Sequence, residues 1–113
     1  MYKYEIEKYL FAFGFRIDFV GFNQLIDLIY LINNDLENIN YDYSSINLSY
    51  YYDILAYQYL IKPDTIKKNI STLIKKCILN KSNLFNYYFG SLDKISNAAV
   101  INQIIYIINQ YKD

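Results

Sequence analysis

The stretch "KPDTIKKNISTLIKKC", residues 62–77, decides how this chain is read. Its apolar residues Ile66, Ile70, Leu73, Ile74 and Cys77 fall at offsets 0, 4, 7, 8 and 11. Those offsets follow the 3.6-residue period of a single helix face. Pro63 suits the first helical position, where its missing N–H leaves nothing unpaired, and Asp64 beside it complements the positive end of the helix dipole. Five of the sixteen residues are lysines, in a chain whose formal net charge is zero. The stretch therefore predicts an amphipathic helix with a greasy inner side and a cationic outer one.

The neighbouring segment extends the pattern. Ser49 is placed to cap a short helix running to about Tyr59 and burying Tyr51, Ile54 and Leu55. The connection "YLIKP" has no glycine, so either Tyr59 or Leu60 must take the left-handed position or the turn must be longer. Two short helices joined tightly, the second amphipathic and basic, describe a helix-turn-helix over about 49–79. Lys67, Lys68, Ser71, Thr72 and Lys75 are left opposite the apolar stripe, with Lys62, Asp64 and Thr65 around the helix start. Such a helix fits the major groove of duplex DNA, its early turns near base edges and its lysines near phosphates. These eight residues are the expected DNA contacts. The competing reading is a merely solvated helix face in a lysine-rich protein.

Helical periodicity continues on both sides. A first helix over about 4–13 places Ile6, Tyr9, Leu10 and Phe13 together, and Gly14 stands where a helix needs a left-handed terminator. A second, over about 22–34, places Phe22, Leu25, Ile26, Ile29 and Ile32 at spacings of 3 and 4. The Asn- and Asp-rich residues 33–47 read as a polar connection with room for a turn of helix inside. A short helix over about 82–89 ends at Gly90, and Ser96 caps a last helix over about 96–111. The expected fold is all-α, a compact bundle of about six helices in one domain spanning 1–113.

Composition narrows the functional classes. Ile, Asn, Tyr, Phe and Lys together supply 64 of 113 residues, and Arg16 is the single arginine, a bias that AT-rich codons produce. That bias accounts for "YYY" at 50–52 better than a stacking platform does. With one cysteine, Cys77, and no histidine, the chain has no internal disulfide, no set of ligands suited to zinc, and not the commonest general base. No cofactor or metal is expected. The carboxylates are scattered and no glycine-rich phosphate loop occurs, so an enzyme is not expected either. Cys77 lies on an apolar helix face and reads as a small core residue. No signal peptide or membrane-length apolar run is present, which predicts a cytoplasmic protein. Residues 1–61 carry three basic and eight acidic groups, a net of 3 − 8 = −5; residues 62–113 carry eight lysines and three aspartates, a net of 8 − 3 = +5. This asymmetry points to a polyanion-binding surface.

The order of landmarks resembles the C-terminal DNA-binding domain of the stage-zero sporulation response regulator family. Gly14, Gly21-Phe22, Leu25 and Ile29 in "FGFRIDFVGFNQLIDLI" match that family's glycine-apolar, glycine-tyrosine, leucine and isoleucine spacing. "NDLE" (34–37), "YYDILAYQY" (51–59, with one residue inserted near Leu55), "KPDTIKKNISTLIKKCI" (62–78), "YFG" (88–90) and "SNAAVINQII" (96–105) resemble further segments, so the likeness covers about 4–111. The resemblance implies a six-helix domain that binds DNA through its fourth helix and whose last helix meets a neighbouring copy. Lys67, Lys68, Ser71 and Thr72 stand where the family has Glu, Arg, Arg and His, which implies altered or looser specificity, since lysine offers a point charge where arginine clasps guanine. With Met1 so close to the first helix, a stand-alone effector without the family's receiver is expected.

The last helix carries Val100, Ile101, Ile104, Ile105 and Ile108, more apolar residues than a one-sided stripe requires. Either it is deeply buried or it meets a second copy, and a homodimer through these five residues is the expectation. The alternative function is a protein-interaction module or antagonist that binds another regulator through the apolar last helix or the acidic N-terminal half, or a mobile-element accessory factor.

Overall fold

A computed structural model describes residues 1–39, 46–79, 83–90, 92 and 95–110. These form six helices and no strand: α1 (Lys3–Ala12), α2 (Val20–Ile39), α3 (Leu48–Tyr59), α4 (Pro63–Leu79), α5 (Asn83–Phe89) and α6 (Asn97–Gln110). The fold is all-α, and its radius of gyration of 13.2 Å is that of a compact globule.

α1 ends as the glycine at position 14 predicts. Gly14 has φ 96°, its N–H donates to the Phe11 carbonyl at 3.0 Å, and the Phe15 N–H reaches back to Leu10 at 3.1 Å. This paired closure satisfies two carbonyls that the helix end would otherwise leave open. α3 ends by the same device without a glycine. Leu60 takes φ 59° and ψ 41°, its N–H meets the Tyr57 carbonyl at 3.3 Å, and the Ile61 N–H meets Ala56 at 3.1 Å. The left-handed position is thus Leu60 rather than Tyr59, and α4 starts after residues 60–62.

Two boundaries differ from expectation. α3 begins at Leu48, capped by Asn47, whose side-chain oxygen accepts from the Tyr50 N–H at 3.4 Å; Ser49 lies inside the first turn. Its buried residues are Tyr51, Tyr52, Leu55 and Ala56, with Ile54 only half-buried. α2 also runs on through the asparagines expected to break it. Asn33 is buried, and its Oδ1 accepts from Asn109 Nδ2 of α6 at 3.2 Å. Asp35 accepts from the Tyr51 hydroxyl at 2.6 Å, and Glu37 lies 3.6 Å from the Met1 amino group. Tertiary partners supply what local propensity withholds. The remainder of the expected polar connection, 40–45, lies outside the described residues, as do 80–82, where α5 was expected to start, and Tyr111.

The core is shared by every helix. Ile6 and Leu10 of α1, Leu25, Leu28, Ile29 and Ile32 of α2, and Leu55 of α3 are fully buried. They meet Ile66, Ile70 and Leu73 of α4. α5 is held by rings: Phe89 meets Phe13 edge-on at 5.6 Å, and Phe85 meets Phe15 edge-on at 5.7 Å.

The last helix corrects the dimer expectation. Val100, Ile101, Ile104, Ile105 and Ile108 have no exposed surface in the single chain, because α6 packs against α2 and α4. A side chain already enclosed by its own fold offers nothing to a second copy. What α6 shows to solvent is Ala98, Asn102, Tyr106 and Gln110. No helix among the described residues is long and apolar enough to cross a membrane.

Candidate nucleic-acid interface

The buried stripe of α4 fixes which way its other side faces. Ile66, Ile70 and Leu73 are fully covered and Ile74 and Cys77 nearly so, which turns Lys67, Lys68, Thr72, Lys75 and Lys76 outward. Ser71 and Asn69 are half-buried on the flanks. Asn69 faces α2, where its amide donates to the buried Gln24 Oε1 at 3.0 Å. α2 holds that flank of α4 and leaves the opposite one available.

On the available side Asp64, Lys67, Lys68, Ser71, Thr72 and Lys75 line one open groove of about 580 Å³. Six of the eight expected DNA contacts therefore share a surface. Lys62 lies in a smaller adjoining hollow of about 370 Å³ with Ser49, Tyr52 and Asp53, into which Asp64 and Lys67 also reach. Thr65 is exposed and lines neither.

Among the described residues none of the α4 lysines is in an ion pair; the bridges present use Met1, Lys3 and Arg16. Arg16 is committed to Asp18, which it meets with two donors at 3.1 and 2.9 Å, and this guanidinium holds the Asp18 carboxyl below its ordinary value. The acidic half of the chain is partly self-neutralised too. Asp27 takes Lys3 at 3.0 Å on one oxygen and the Tyr59 hydroxyl on the other. Burial first, and then the Asp27 carboxylate, push the Tyr59 phenol well above its ordinary value.

Lys67 is the most constrained of the cations. Its ammonium sits 5.6 Å from the centre of the Tyr52 ring, and its backbone carbonyl accepts from Asn97 Nδ2 at 3.0 Å. Tyr52 is buried beneath it. Burial raises the Tyr52 phenol, and the Asn97 amide beside it acts in the opposite direction. Even so, the hydroxyl finds no partner in hydrogen-bonding geometry among the described residues.

Ile95, Ser96 and Asn97, at the start of α6, form the far wall of the larger groove. The sequence marked Ser96 only as a cap, which it is, accepting from the Ala99 N–H at 3.1 Å. Nothing in the pattern of residues 95–97 ties them to a helix thirty positions away. Cys77, for its part, is an enclosed thiol whose Sγ lies 3.4 Å from the Gly14 carbonyl oxygen. Burial pushes it up to about 11, against a smaller opposing pull from Arg16. No group of His, Cys, Asp and Glu among the described residues is arranged to hold a metal ion.

Comparisons with protein families, with curated proteins and with solved structures returned no match for this chain.

Proposed function

We propose that the chain is a DNA-binding regulator that acts by binding alone, with α3 and α4 as a helix-turn-helix and α4 as the helix presented to the duplex. One observation carries the reading: Lys67, Lys68 and Lys75 stand exposed and, among the described residues, outside any ion pair, on one side of a helix whose other side is locked into the core. Unpaired cations on a rigid helix face are what a polyphosphate surface selects, because each phosphate contact releases a condensed counterion. The resemblance to the sporulation regulator's effector domain supports the same assignment and suggests a role in transcription. Its arginines are missing at the reading positions, so discrimination among sequences is weaker than a pair of bidentate guanine contacts would provide.

Fluorescence anisotropy with labelled duplexes at several salt concentrations tests this. With about four to six phosphate contacts, log K falls against log salt with a slope near −4 to −5, from about −0.9 per contact. Replacing Lys67, Lys68 and Lys75 together by alanine leaves the fold intact and makes that slope shallower. A native chain with no salt-dependent affinity for any duplex rules the reading out.

A second reading, a module that grips an acidic segment of another regulator, draws on the partly exposed Ile78 and Ile95 between the lysines of the groove. Such a chain binds a partner protein and no DNA.

A further inference from the structure

The lysine side of α4 does not open onto free solvent in every direction. Ile95, Ser96 and Asn97 stand across the groove from Lys67, Lys68 and Lys75. Their position is fixed at two points. The Asn97 amide is tied to the Lys67 carbonyl at 3.0 Å, and Ser96 caps α6 through the Ala99 N–H. Ile78 on the α4 side and Ile95 on the far wall keep 45% and 37% of their surface exposed, so apolar atoms line the groove beside the cations. A lone convex helix meets a duplex along one ridge only. A helix with a second wall at its side can enclose one strand.

We infer that the groove between α4 and the start of α6 seats a single phosphodiester strand of a DNA duplex, its phosphates toward Lys67, Lys68 and Lys75 and its sugar edges toward Ile78 and Ile95. The inference rests on the DNA-binding reading and adds a second wall to it. It also assigns the three lysines to backbone contact rather than to base reading. Their loss then weakens binding to all duplexes alike instead of relaxing preference at one base pair.

Two substitutions on the far wall test the seat without touching α4. Ser96→Asp keeps a residue that caps a helix as well as serine does and adds a negative charge to the far wall. Ile95→Glu adds one from an exposed position outside any helix. Each should raise Kd by about tenfold or more, the scale of a like-charge juxtaposition at an interface. Asn102→Glu, on the outer side of α6, is the control and leaves Kd unchanged. Circular dichroism melts confirm that each variant is folded. Native affinity in both folded wall variants, with binding weakened in the triple lysine variant, refutes the second wall and leaves the DNA reading standing. Absence of duplex binding by the native chain removes both.

Discussion

Gly21 of α2 lies so close to Asn69 of α4 that a Cβ on Gly21 would stand 2.4 Å from the Asn69 carbonyl oxygen and 2.8 Å from its carbonyl carbon. Both atoms are backbone, so neither can rotate aside. The missing side chain lets the two helices approach this closely, on the flank of α4 beside its buried stripe.

Gly21→Ala therefore forces α2 and α4 apart. Overpacking of this kind costs about 1–3 kcal/mol. Urea denaturation should show a lower midpoint with an unchanged slope, and an unchanged midpoint would mean that the crossing has room to spare.

Leu60 presents the opposite case, a large residue in a position glycine prefers. It is 87% exposed, so its side chain gains little from burial, while its left-handed backbone costs roughly 1–2 kcal/mol. Part of that is offset because glycine frees the unfolded chain. Leu60→Gly should still stabilise the fold by about 0.5–1 kcal/mol, seen as a melting point higher by a few degrees. A lower melting point would show that the leucine makes a contact worth more than its strain.

Ile104 and its neighbours on α6 belong to the monomer's own core. Ile104→Ala should cost about 2–5 kcal/mol, as truncation in a close-packed interior does. The cost should be the same at every protein concentration. A melting point that climbs with concentration would return these residues to an interface between copies.

Cys77 gives a pH dependence with a definite sign. Its thiol titrates at about 11 in the fold against 9.0 ordinarily, because burial disfavours the thiolate. The folded chain then holds this proton more tightly than the unfolded one. The stability linked to it is fully present below pH 9.0 and is lost as pH rises toward about 11. Urea midpoints should hold up to about pH 8 and fall between about pH 9 and 10. Cys77→Ala should flatten that fall. An equal fall in the variant would assign it to other groups.

How far the chain can be read without coordinates depends on where each signal resides. α4 was legible almost to the residue because its apolar spacing, its proline and its aspartate all lie within one segment. Gly14 announced the end of α1 for the same reason. α2 reads too short because the Asn- and Asp-rich run from Asn33 looks like a helix end until Asn109 and Tyr51 supply partners for Asn33 and Asp35. α6 reads from the sequence as a docking surface because periodicity counts apolar residues without showing what surrounds them.

The same division holds at the candidate site. Local spacing determined that Lys67, Lys68 and Lys75 share an outer helix face, since that follows from 3.6 residues per turn and nothing else. Only the tertiary structure decided that Asn97 would tie down one edge of that face, that Ile95 and Ser96 would wall it, and that α2 would close the other flank at Gly21. A helix carries its own periodicity in its sequence. Which helices meet, and how closely, is a property of packing between residues that the chain keeps far apart.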